Sequence, residues 1–191
     1  MRGATALLLT FFLSASGCGE DSLLNRGEPG TMNTSGDPRF DADCSDGPLE
    51  SPIPECRPVP LLATGDPYAD CVSRINQLRW ECQCLPPLAR WTEAEGCADQ
   101  HAEYDSTRGA HAGFRDDICS PRGWAQNECP GWSSPEHVIT GCLQAMWDEG
   151  PGEPYSEHGH YINMTNPSYG KVACGFYETS DGRFWSVQNF E

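Results

Sequence analysis

From Asp66 onward the apolar positions recur at helical spacing. Tyr68, Cys71, Val72, Ile75, Leu78 and Cys82 fall three or four apart, which places them on one face of a helix. Asp66 can cap that helix and Pro67 suits its first position. The run Cys84-Leu85-Pro86-Pro87-Leu88 ends it, because proline brings no amide hydrogen and restrains the residue before it. Thr92 and Glu95 have the spacing of a capping box that opens a second helix, with Cys97, Ala98, His101 and Tyr104 along its inner side. On that face His101 reads as a packed histidine rather than a ligand. Ser134-Pro135-Glu136 opens a third helix, whose Val138/Ile139, Cys142/Leu143 and Met146/Trp147 pairs form the clearest amphipathic stripe in the chain. Between Gly109 and Ser134 no period is visible, and the stretch reads as irregular. Near the C-terminus two runs beginning at Lys171 and Phe184 read as strands, joined by a hairpin turn at Ser180-Asp181-Gly182-Arg183. Gly170 and Gly175 mark places where a backbone or a ligand can approach closely.

Length allows one ordinary domain and a tail, since 191 residues are too few for two full cores. The stretch 18–65 is rich in Gly, Pro, Ser and acidic residues without apolar order, the composition of a flexible tether. Cys44 and Cys56 interrupt it, and either close a local loop or staple it to the domain. A formal charge of -16 excludes nucleic acid as a partner, because phosphates are repelled from most of such a surface. Eleven cysteines imply a disulfide framework outside the cytosol. Residues 1–17 fit that compartment: Arg2, the apolar run Leu7 to Leu13 and then small residues have the order of a secretory signal. Small residues directly before Cys18 resemble a bacterial lipobox, which makes Cys18 the expected site of lipid attachment and of membrane anchoring. Setting Cys18 aside leaves ten cysteines, an even number.

The stretch richest in candidate chemistry is His158-Gly159-His160-Tyr161, between a Gly/Pro/Glu-rich approach and Asn166-Pro167. Imidazole changes charge near neutral pH and binds borderline metals. The competing reading of this pair is two solvated histidines on a surface loop. The other histidines are His101, His111 and His137, and Glu149, Glu153 and Glu157 are the nearest carboxylates in sequence. Asn163-Met164-Thr165 and Asn33-Thr34-Ser35 also fit the glycosylation pattern.

Taken in order, these pieces resemble the CAP superfamily, the cysteine-rich secretory, antigen 5 and pathogenesis-related 1 proteins that share the SCP domain. The resemblance rests on Asn76-Gln77-Leu78-Arg79, the Leu85-Pro86-Pro87-Leu88 segment, a third helix with Trp147 and Glu149, and Gly159-His160-Tyr161. Asn163-Met164 with Asn166-Pro167, and the ending Trp185-Ser186-Val187-Gln188-Asn189-Phe190, are similar to its bacterial branch. It implies an α+β fold, a three-layer α-β-α sandwich over residues 66–191, with a cleft of two histidines and two acids. His111 and His160 match the histidines and Glu149 matches the acid closing the third helix. At the position of the other acid stands Gln126, within Ala125-Gln126-Asn127-Glu128, and Glu128 is the nearest substitute.

Three functions are consistent with this reading. The first is a binding or interaction module, secreted or lipid-anchored on the outer surface of a bacterial cell. Its His111 and His160 hold zinc or another divalent metal, and its surface engages lipid or an extracellular protein. The second is a metal-dependent hydrolase of protease type, for which Glu149 is the one placed base, because the amide of Gln126 takes up no proton near neutral pH. The third is a structural surface protein whose histidines only hydrogen-bond to Glu149 and Gln126.

Overall fold

In the computed structural model residues 44–191 are described. The signal at 1–17, Cys18 and Asn33 lie outside them. After a short 3-10 turn at Cys44–Asp46 come α1 (Pro67–Gln83), β1 (Ala89–Arg90), α2 (Thr92–Arg108), α3 (Ala112–Asp116) and β2 (Ala125–Trp132). Then follow α4 (Pro135–His137), a π-helical turn (Val138–Cys142), α5 (Leu143–Asp148), α6 (Tyr155–Thr165), β3 (Lys171–Glu178) and β4 (Phe184–Phe190).

The four strands form one sheet in the order β1-β3-β4-β2. β1 runs parallel to β3, and the other pairs are antiparallel. Side chains alternate across the sheet. Val172, Cys174 and Phe190 join Ile75, Leu78, Leu143, Trp147 and Met164 in the main core, on the side of α1, α5 and α6. On the opposite face Ala173 meets Trp91 and Ala94, and Val187 meets Ala98 and Ala102 of α2. Sheet and helices thus make a three-layer α-β-α sandwich, with β2 as its open edge.

Gly175 is where α2 crosses the sheet. A Cβ there would stand 2.2 Å from the backbone carbon of Ala98, so no side chain fits between helix and strand. Next to this crossing Asp99 accepts a hydrogen bond from the backbone N–H of Phe176 at 2.8 Å and another from the Tyr68 hydroxyl at 3.1 Å. We expect Gly175→Ala to cost about 2–3 kcal/mol through overpacking, measured as a lower urea midpoint at unchanged slope. A loss below about 0.5 kcal/mol would show that α2 slides freely on the sheet.

The caps of α1 and α4 are those expected. Asp66 accepts from the N–H groups of Tyr68 and Ala69, and Ser134 from that of His137. The Thr92/Glu95 capping box does not form. Thr92 is already helical and Trp91 takes the cap position. Glu95 is drawn instead to Arg90, whose guanidinium binds it at 2.5 and 3.1 Å, and a charged fork is a stronger partner than one amide.

Of the two alternatives for Cys44 and Cys56, stapling to the domain is the one observed: from Cys44 on, the stretch up to residue 65 is fastened to α1. Cys44–Cys84 and Cys56–Cys82 are disulfides, and the N–H groups of Leu49 and Ile53 donate to the carbonyls of Gln83 and Cys82. Covalent and backbone bonds here replace the missing apolar period. The irregular region 109–134 contains β2, and the His158–Met164 stretch is helix rather than loop, as part of α6. The remaining disulfides are Cys71–Cys174, Cys97–Cys119 and Cys129–Cys142, so all ten cysteines after Cys18 are paired. Asn163 is 5% exposed and donates to Asn127 Oδ1 at 2.9 Å, which rules it out as a glycan acceptor.

Candidate site at the edge strand

The residues that carry the resemblance divide into clamps and a site. Asn76 is a clamp: its amide donates to the Leu88 carbonyl and accepts from the Leu88 N–H, at 2.9 and 2.8 Å. Arg79 is another. It is 1% exposed, and its guanidinium binds the Pro86 carbonyl at 3.0 and 2.8 Å and the Met164 carbonyl at 2.5 Å. Burial pushes its pKa down to about 10, still far above neutrality.

The site is organised by β2. Gln126 and Glu128 point to the α2 face and Asn127 to the other, as alternation requires. His111 lies between α2 and α3 with φ +62°, a left-handed conformation uncommon for a side chain of this size. Two bonds to β2 hold it there. Its N–H donates to Glu128 Oε2 at 2.7 Å, and its ring Nδ1 meets Gln126 Oε1 at 2.8 Å, with Glu128 Oε2 at 3.7 Å. Glu128, the candidate substitute for the absent acid, therefore does reach His111. Its side chain is only 1% exposed, and burial, with the charge of Asp105 adding to it, pushes its pKa up to about 8. Glu128 Oε1 and Asp105 Oδ2 are buried without a hydrogen-bond partner.

Glutamine at 126 has a local cause. While Oε1 accepts from His111, Nε2 faces His101 Nδ1 at 3.0 Å and donates to Asn189 Oδ1 at 3.1 Å. His101 is fully buried and burial lowers its pKa, so the ring is neutral and its Nδ1 needs a donor. An amide both accepts and donates; a carboxylate could serve only His111.

His160 lies on the other face, in α6. Its ring Nδ1 meets Glu149 Oε1 at 2.5 Å, and its N–H donates to Glu149 Oε2 at 3.0 Å. Asn127 donates to the His160 carbonyl at 3.0 Å and accepts from Asn163, which ties α6 to β2. His158 is structural: its Nδ1 bonds the carbonyls of Glu149 and Gly150 at 2.7 and 3.0 Å and closes the loop before α6. The His137 ring meets the Ser133 hydroxyl through Nδ1, at an exposed helix start.

What emerges is two pairs, His111 with Gln126 and Glu128, and His160 with Glu149, flanking the edge strand from opposite layers. In both, Nδ1 is engaged while Nε2 has no partner among the described residues, and the rings are 38% and 36% exposed. His101, read from the sequence as packed rather than a ligand, is fully buried; what the sequence did not show is that it, Asn127, Asn163 and Asn189 position these groups. Recognising 125–129 as a strand would have assigned Gln126 and Glu128 to one face.

Among the described residues, one group of three or more His, Cys, Asp or Glu side chains has all its ligand atoms within 4.8 Å of one another: Cys97, His101 and Cys119. It could hold a metal only after reduction, because Cys97 and Cys119 form a disulfide and have no thiolate to offer. His111 and His160 are in no such group.

Among curated proteins no sequence matches the chain. Six solved chains match, among them the structure of BmVAL-1, which is 18% identical with a TM-score of 0.48, the match covering 70% of this chain and 80% of that one. The family model described as "Cysteine-rich secretory protein family", CAP, matches residues 72–190. That span runs from the second turn of α1 to the last residue of β4 and takes in both histidine pairs, and the chain belongs to the CAP, or cysteine-rich secretory protein, family.

Proposed function

We propose that the protein is an extracellular binding module in which His111 and His160 together hold a divalent metal, zinc being the best match to the donors. One observation carries this reading: each imidazole is fixed through Nδ1 while its Nε2 has no partner among the described residues, on a side chain that is partly exposed. An acceptor on the far nitrogen sets the tautomer and raises the basicity of the ligating one, as around bound zinc. Two protein donors leave coordination positions for water and for the group that is bound. Extracellular placement is supported by five disulfides, and anchoring through a lipidated Cys18 would present the domain at the cell surface, where lipid or a protein is the expected partner.

Binding is favoured over turnover by the state of the acids. Glu128 is sealed from solvent, Gln126 has no proton to exchange, and Glu149 already serves the ring and backbone of His160. We expect the purified mature protein to take up zinc, and Glu149→Gln to weaken uptake about 10–100-fold by loosening the His160 ring. Zinc titration calorimetry checks this, with a peptide and ester substrate panel run beside it. Turnover that chelators stop and Glu149→Gln abolishes would replace this reading with a hydrolase.

A further inference from the structure

A second site lies away from the histidines. Between the end of α2, the bend of β2 at Pro130-Gly131 and the β3–β4 hairpin is an open cavity of about 530 Å³, within the range of small-ligand sites. Tyr177 and Trp185 are directly paired across β3 and β4 and line it side by side. Both are partly buried against Val187 and the α2 alanines, so their rings are held rather than mobile.

The rim is polar and mixed in sign. Arg183 enters the cavity beside Gly131, its Nη1 3.5 Å from where a Cβ on that glycine would lie. Gly131 has φ +72°, a left-handed conformation that favours glycine at this bend of β2, and the guanidinium packs against it at ordinary contact distance. The described residues give that guanidinium no hydrogen bond or ion pair; only the Arg183 backbone is engaged, by Thr179. Asp181, two residues earlier, accepts from the Thr179 hydroxyl at 2.5 Å and from backbone N–H groups of the turn, and its exposed carboxylate lies in the field of the Arg183 charge. The hydroxyls of Ser106 and Thr107 donate to carbonyls one turn back in α2; Thr107 also accepts from Arg108 at 3.4 Å, and each oxygen has a lone pair left to accept from a ligand.

We propose that this cavity binds a neutral sugar residue of a glycan. Aromatic faces cover the apolar C–H side of a pyranose ring, while a carboxylate, a guanidinium and hydroxyls take its ring of donor-acceptor hydroxyls. Arg183 and Asp181 cancel in charge, and the formal charge of -16 over the chain repels acidic glycans, so neutral sugars are the matching class. The site is independent of the histidine pairs.

The test is a glycan array of neutral and uronic-acid oligosaccharides probed with the full mature protein, followed by calorimetry on the best neutral binder. Arg183→Ala, on an exposed turn, and Trp185→Leu should each weaken binding at least about tenfold, the loss of one charged hydrogen bond or of one stacked ring. His111→Ala should leave it unchanged. Because Trp185→Leu also touches the sheet, Arg183→Ala with an unchanged melting temperature is the deciding variant. The proposal is overturned if no neutral glycan binds with a Kd below about 1 mM, if only acidic glycans bind, or if Arg183→Ala binds as tightly as the parent.

Discussion

Replacing Arg79 with methionine is expected to cost about 3–5 kcal/mol of stability, as much as many whole cores can lose. Methionine fills similar volume but removes three charge-assisted bonds to the Pro86 and Met164 carbonyls. A buried arginine without a carboxylate partner is itself costly to desolvate, which argues for a smaller loss. The orphaned carbonyls decide the balance, since an unmade buried bond costs about 1–3 kcal/mol. Because Met164 lies in the last turn of α6, the helix that carries His160, the variant should also weaken zinc uptake. Urea denaturation measures the first effect, and a loss under about 1 kcal/mol would mean that the clamp is dispensable.

The second large effect is expected on removing Cys71–Cys174 by paired alanine substitution. This bond joins α1 to β3 across a sequence separation of 103 residues, whereas Cys129–Cys142 spans 13. Loop-closure entropy predicts a loss of about 4–5 kcal/mol for the long bridge and about 3 kcal/mol for the short one. Both bridges are buried in the same core, so the cavity left by two lost sulfurs adds to each loss and loop length sets the difference between them. Equal losses, or the reverse order, would show that the unfolded chain is already compact around these residues.

The helices α1 and α2, the stripe from Val138 to Trp147 and the C-terminal hairpin were legible because their apolar residues carry the period of the element. β2 and α6 were not. Gln126, Asn127 and Glu128 are buried, yet they are polar, because each partners a site residue rather than the core. Polarity that serves a site hides the alternation of a strand. In α6 His158 and Gly159 stand where helix-forming residues would be expected, and the element is held by Glu149 and Asn127 instead. His111, Glu149 and His160 were found through short motifs, and Cys44 and Cys56 were readable only as alternatives, since connectivity does not follow from spacing.

Zinc titration of the His111→Ala and His160→Ala single variants addresses the shared-ion claim most directly. One ion held by both rings predicts that each single substitution abolishes the same one-equivalent binding event, with the other histidine intact. Two histidines acting separately, on opposite flanks of β2, predict that each variant keeps the binding of the ring that remains, and that result would contradict the account.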